Sequence, residues 1–388
     1  MYDLVLSGKL VDPIDGVYEA NIGITKGVIS QITKDPIEGK KIYLPDAAII
    51  FPGFIDPHVH LRQDISGKWN YKEDFLCGSK AAAHGGVTTV ADMPNNPTPA
   101  TTPEAIVEKI NLSKEALIDI LFYGGVLGNF DKLKAMSTLV CGYKIYAGET
   151  TGSMTIGLDE IEKAVRLLSD TDKPVVFHAG ESLKEILAIC ENYNIRVHIA
   201  HVKDRNEINL IEKYKKNMQL TCEATPHHLF FSENDKEKLG YLSNVNPPHM
   251  PEKDRAAVMD ALKTGTIDML ATDHAPHTLE DKVKGASGMP HLDTYGPFVS
   301  WLIANGFSLK QIAKITSFNA ANLLSLNNRA RIKEGFLADL AVIDMQAEKV
   351  DKLYTKCGWS PFSDYEFPGR IACTIYHGNI IMKNGVFS

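Results

Sequence analysis

Eight short, apolar, β-branched runs recur through the middle of the chain, at 49–55, 87–91, 118–123, 140–146, 174–177, 196–200, 218–223 and 267–271. Between most of them lie stretches with helical spacing and charged faces, at 102–113, 158–168, 182–192, 205–216 and 253–263. Near-continuous apolar strands alternating with helices are buried on both faces, and eight such units predict an α/β protein built on a parallel (β/α)8 barrel of the TIM type. An open doubly wound sheet is the other arrangement of this pattern. No Gly-x-Gly-x-x-Gly follows any of the runs, so its dinucleotide-binding form has little support.

The two ends of the chain lack helical spacing. Residues 1–32 alternate around Gly8, Asp15-Gly16 and Lys26-Gly27, and residues 332–344 and 371–386 do so around His377-Gly378 and Asn384-Gly385. Chain termini usually lie close together, so the economical arrangement is a small β-sandwich domain from residues 1–50 plus 335–388, with the barrel, 51–334, inserted between them.

Composition narrows the function classes. Forty-one Lys and Arg against 48 Asp and Glu give a formal charge of −7, without the basic excess that nucleic acid or an anionic membrane surface would require. The six cysteines are scattered without a Cys-x-x-Cys pair, which points away from a disulfide framework and toward a reducing cytoplasm. No run approaches the roughly 18 apolar residues of a membrane span, and the first residues do not read as a secretion signal. A small-molecule substrate is the expected partner.

Of 13 histidines, all but His377 lie between His58 and His291. Side chains leaving the C-terminal ends of barrel strands converge on one mouth, so their neighbours there matter most. The first strand ends in Asp56-Pro57-His58-Val59-His60, with two imidazoles on one side of an extended segment. The fourth carries Lys144, whose buried ammonium would meet a desolvation cost. A neutral amine there can take up carbon dioxide as a carbamate that bridges two cations; the alternatives are a lysine that snorkels to solvent or pairs with Glu149. The fifth strand ends at His178. The sixth holds His198 and His201, three apart and so on opposite faces, of which the more C-terminal His201 is the better ligand. Asp273 follows the eighth strand, with His274 and His277 just beyond it. His227 and His228, after the seventh, read as packing or loop-capping residues and are assigned to no metal.

Together these positions resemble the amidohydrolase superfamily, which places His-x-His, a bridging Lys, His, His and Asp on successive barrel strands. Within it, the motifs DPHVHLR at 56–62, MPNN at 93–96, CEATPHHL at 222–229, VNPP at 245–248 and DHAPHTLEDK at 273–282 resemble those of dihydroorotases. The resemblance implies two zinc ions bridged by carboxylated Lys144 and a hydroxide, with His58, His60 and Asp273 on one ion and His178 and His201 on the other. It implies that Asp273 moves the catalytic proton, and that Arg62, Asn95 and His277 grip the substrate, with Asn246 and Ser287-Gly288 against its ring. A guanidinium suits a carboxylate through two parallel hydrogen bonds. The activity implied is reversible interconversion of dihydroorotate and N-carbamoyl-L-aspartate in pyrimidine synthesis.

Three features depart from the common bacterial pattern. Gln63-Asp64-Ile65-Ser66-Gly67 replaces Glu-Pro-Gly, His249-Met250 replaces Leu-Arg, and Lys144 stands where some relatives have Asp. Lysine there, followed by Glu149-Thr150, resembles the dihydroorotase domain of the animal multifunctional pyrimidine enzyme, which implies Thr150 as a loop contact to substrate. The competing expectations are an allantoinase or hydantoinase acting on another ring, and a catalytically silent relative that binds aspartate transcarbamoylase. A homodimer is the other expected assembly.

Overall fold

The computed structural model describes residues 1–147 and 154–388. All eight strands of the expected barrel are present, as Phe54–Val59, Val87–Asp92, Asp119–Gly125, Gly142–Tyr146, Val175–His178, Val197–Ile199, Leu220–Ala224 and Met269–Leu270. They pair in sequential order and in parallel. The ring is drawn toward closure where the His60 N–H donates to His274 O at 2.8 Å, beside a parallel bridge between Val59 and His274. Helices Pro103–Leu112, Leu158–Leu168, Leu183–Cys190, Arg205–Tyr214 and Glu252–Thr264 occupy the stretches whose spacing predicted them.

Strand alternation decides what faces the barrel interior. Val175 and Phe177 pack outward into the main apolar core, whereas Val176 joins the cluster inside the barrel, and His178 shares its face two residues on. In the same way Tyr143 and Ile145 pack outward and leave Lys144 and Tyr146 on the inner side. One run divides differently from its reading as a single barrel strand. Residues 49–55 split at Gly53: Ala48–Pro52 joins the terminal sheet, and the barrel strand begins at Phe54. Both pieces are apolar because both are buried on two faces, so hydrophobicity alone cannot mark the break. A Cβ at Gly53 would come within 2.3 Å of Thr88 Oγ1, so the crossing needs glycine.

The terminal segments join in one nine-stranded sheet with its own apolar cluster, including Leu6, Leu10, Ile22, Leu340, Val342 and Ile375. Leu340–Asp344 pairs antiparallel with Ala48–Pro52, which itself lies parallel to Tyr2–Asp12. Three of its hairpins turn on Lys26-Gly27, His377-Gly378 and Asn384-Gly385, with positive φ at both residues of each pair, as tight two-residue hairpins require. Among the described residues, no helix is long and apolar enough to cross a membrane.

A buried ion pair ties helix Pro103–Leu112 to the mouth of the barrel. Asp92 lies 2.5 Å from Lys109 Nζ and accepts the Leu61 N–H at 2.7 Å, next to Arg62; Lys109 also donates to Met93 O and Asn96 Oδ1. Asp92→Asn strips a buried cation of its anion and is expected to destabilise the fold by roughly 3–5 kcal/mol, read from urea unfolding. A loss below about 1 kcal/mol, the range of an exposed pair, would mean that water already screens this one.

Candidate functional site

The C-terminal ends of the barrel strands surround a cavity of ≈ 290 Å³. Its wall contains His58, His60, Arg62, Asn95, Lys144 and His178, and equally His201, Asn246, Asp273, His277, Ser287 and Gly288. Of the residues singled out from the sequence, Thr150 lies outside the described residues, as does Glu149.

His58, His60 and Asp273 offer ligand atoms that all lie within 4.8 Å of one another. His58 Nδ1 lies 2.5 Å from Glu223 Oε1, and His60 Nδ1 lies 2.7 Å from Asn95 Oδ1. When each Nδ1 donates its proton to that oxygen, each Nε2 carries a lone pair. Those Nε2 atoms stand 3.2 and 3.0 Å from the same Asp273 oxygen, Oδ1. Three lone pairs pointed at one another repel unless a proton or a cation lies among them, so the donor set fits a divalent metal. Burial opposes the charge on Asp273, but the His58 and His60 imidazoles bring its carboxyl down to about 2. Burial lowers His60 to about 4.

Beside this group, with the His201 ring centroid 5.6 Å from that of His58, His178 Nδ1 lies 2.8 Å from His201 Nε2. Burial, and then Lys144, take His178 to about 3, and burial and His178 hold His201 well below its ordinary value. Both are neutral imidazoles, the form that binds metal. Lys144 is wholly buried, and its Nζ has no hydrogen-bond partner among the described residues. Burial lowers its amine to about 8 against the pull of Glu223 and Asp273. An orphaned buried amine is costly and marks a place where another group belongs.

Arg62, His201 and Asp273 all have positive φ, at 62°, 36° and 48°. Left-handed backbone is rare outside glycine and collects at functional sites. Here it occurs where the chain leaves a strand and turns a side chain to the mouth. Arg62 is only 5% exposed, and its Nε donates to Pro276 O at 3.3 Å. The Gly288 N–H donates to Asn244 O and its carbonyl accepts from Lys282 Nζ; at its φ of 138° a Cβ would come within 2.6 Å of Ala275, so the close approach of the two segments needs glycine. Ser287 Oγ is buried without a partner among the described residues.

Glu223 was not singled out, yet it joins much of the site. Its carboxylate meets His58 Nδ1, His198 Nε2 at 2.9 Å and the His201 N–H at 3.2 Å. His58 and His198 hold it well below the usual carboxylate range although burial opposes them. The signal was present: a carboxylate ends the seventh apolar run, and Cys222 and Ala224 pack outward on either side of it. Tyr146, two residues past Lys144, and Trp69, two residues past the departing segment 63–67, also line the cavity. His198 supports Glu223 from inside the barrel, since Val197 and Ile199 pack outward on either side of it. His227 and His228 bond to His291 and to Thr225 and Pro247 O, outside the cavity wall.

The amidohydrolase family profile matches residues 49–381. Dihydroorotases from Methanosphaera stadtmanae and Pyrococcus abyssi are 31% and 33% identical, over 94% and 98% of this chain and 93% and 95% of their own lengths. Among solved structures, the L-hydantoinase (dihydropyrimidinase) from Arthrobacter aurescens superposes with a TM-score of 0.91 at 23% identity, covering 100% of this chain and 98% of its own, and so shares the fold. A dihydropyrimidinase from Brevibacillus agri gives a TM-score of 0.90 at 20% identity, over 99% and 95%. The family profile takes in the barrel and the C-terminal strands of the terminal sheet, and with relatives aligned over nearly their whole length this chain belongs to the amidohydrolase family, in its dihydroorotase branch.

Proposed function

We propose that this chain is a dihydroorotase, interconverting dihydroorotate and N-carbamoyl-L-aspartate. The observation that carries the reading is a buried guanidinium, Arg62, in the wall of the same cavity as the His58, His60 and Asp273 cluster. Such a cation, out of solvent and beside a hydrolytic centre, calls for an anionic substrate, and dihydroorotate carries a carboxylate on the ring to be opened. Dihydroorotase relatives at 30% identity and above support the same substrate.

His58, His60 and Asp273 would hold one divalent metal, and His178 and His201 a second, with Lys144 as a carbamate between them. Zinc suits the imidazole-rich donor set. A metal bound there supplies Lewis acidity that polarises a carbonyl and makes water nucleophilic near neutral pH. Arg62 and His277 hold the carboxylate, and the Asn95 amide N–H groups, free of the His60 contact, face the ring. Asp273 takes the proton of the attacking water and returns it to the ring nitrogen as the carbon–nitrogen bond breaks; in cyclisation the same proton moves back. The division into a terminal domain, 1–50 with 335–388, and a barrel, 51–334, belongs to the same reading, with its first boundary moved to Gly53 because Phe51 and Pro52 pair in the terminal sheet, whose separate apolar cluster supports the division.

The test is ring opening of dihydroorotate by zinc-supplied protein, with allantoin and hydantoin in parallel. Turnover of dihydroorotate alone is expected. Preference for either uncharged ring would keep the metal site and overturn the substrate, and turnover of none would leave a silent binding protein. Glu223→Gln removes the charged acceptor of His58 and is expected to weaken metal binding about 10–100-fold, measured by competition with a chelator. Unchanged affinity would show that His58 needs no anion behind it.

A further inference from the structure

His277 touches a cation at each of its ring nitrogens. Arg62 Nη2 lies 3.1 Å from Nε2, and Lys72 Nζ lies 3.0 Å from Nδ1. Neither cation has a lone pair to offer. A neutral imidazole has one lone pair and one N–H, so at most one contact can be a hydrogen bond, and an imidazolium could make neither. Burial and the charges of Arg62 and Lys72 hold His277 far below the ordinary histidine range, so the ring is neutral.

The surroundings of the two cations differ. Lys72 is itself buried, stands away from the cavity wall, and is held by Asp281 at 3.3 Å with its Nζ 5.1 Å from the centroid of the Trp69 ring. Arg62 and His277 face the cavity. The His277 carbonyl accepts the Trp359 indole N–H at 2.7 Å, which anchors the backbone that carries the ring. An anion entering the cavity can therefore draw Arg62 Nη2 toward itself, while Lys72 stays where it is.

We infer that Lys72 is a positioning residue: by donating to Nδ1 it fixes His277 with its proton on Nε2, so that the ring donates a hydrogen bond to the substrate carboxylate beside Arg62. The opposite tautomer would aim an N–H at the Lys72 ammonium and a lone pair at the incoming anion, unfavourable on both sides. This deepens the proposed function and rests on its anionic substrate. Without substrate, Arg62 and Lys72 compete for one lone pair; with it, each donor in the cluster has an acceptor.

The test combines nitrogen-15 spectroscopy of His277 with steady-state kinetics on zinc-loaded protein. In an equilibrium mixture of dihydroorotate and N-carbamoyl-aspartate, His277 is expected to be protonated at Nε2 and unprotonated at Nδ1. Lys72→Met should mix the tautomers and raise KM about tenfold, the value of one hydrogen bond to a charged group, while kcat changes less. Lys72→Arg, which keeps a donor, should restore most of the loss. Protonation at Nδ1 in the wild-type mixture, or a Lys72→Met variant with unchanged KM, would overturn the inference. The wild-type spectrum holds the test open should Lys72→Met fail to fold. If the wild-type chain turns over dihydroorotate but shows the wrong tautomer, only this inference fails; if it shows the Nε2 proton and turns over no dihydroorotate, only the substrate reading fails.

Discussion

Lys144→Ala is expected to abolish ring opening, with a fall in kcat of about a thousandfold or more and a loss of bound zinc. The amine is wholly buried inside the barrel, has no hydrogen-bond partner among the described residues, and shares the cavity wall with His58, His60, Asp273, His178 and His201. As a carbamate it would add a second anionic group beside the His58, His60 and Asp273 cluster and the first beside the His178 and His201 pair, which has none. Its removal should therefore cost more than the roughly 10–100-fold in metal affinity that follows loss of an outer partner. The effect on folding should be small by comparison. Truncation leaves a cavity, but it also removes a buried amine whose missing hydrogen bond costs about 1–3 kcal/mol. Thermal melting of the metal-free variant near that of metal-free wild type, with metal content and turnover both reduced, is the expected pattern. Full activity with a full complement of zinc would eliminate the bridging role.

Arg62→Ala is expected to reduce kcat/KM for dihydroorotate by about two to four orders of magnitude, because two hydrogen bonds to a charged group are lost at about 1.5–3 kcal/mol each. An uncharged hydantoin has no carboxylate for Arg62 to hold, so any slow turnover of it should change only a few-fold. Arg62→Lys should recover little, since a lysine cannot present two parallel donors. Kinetics on both rings with all three proteins separate the outcomes. An equal loss on the charged and uncharged substrates would show that Arg62 supports the shape of the site through Pro276 and His277 rather than clamping an anion.

Much of the site was readable because strand periodicity and metal chemistry act locally. A His-x-His at a strand exit, a lysine within an apolar strand and an aspartate just past another each carry their meaning within a few residues. His178 and Lys144 point inward because Val175, Phe177, Tyr143 and Ile145 must point outward. Glu223 obeyed the same rule and was passed over because its partners are distant in sequence: His58 is 165 residues away. Lys72 is harder to read, since it acts on His277 across 205 residues and lies in a segment without a regular period.

The sequence by itself determined the order of strands and helices, the three positive-φ hairpin turns and the set of groups able to bind a metal, since each follows from backbone sterics or side-chain chemistry over a short span. Only the tertiary structure decided that the apolar run at 49–55 serves two sheets, that Asn95 and Glu223 stand against Nδ1 of His60 and His58, and that His277 stands between two cations. Those are properties of distances between residues far apart in the chain, and barrel closure, rather than any local preference, sets them.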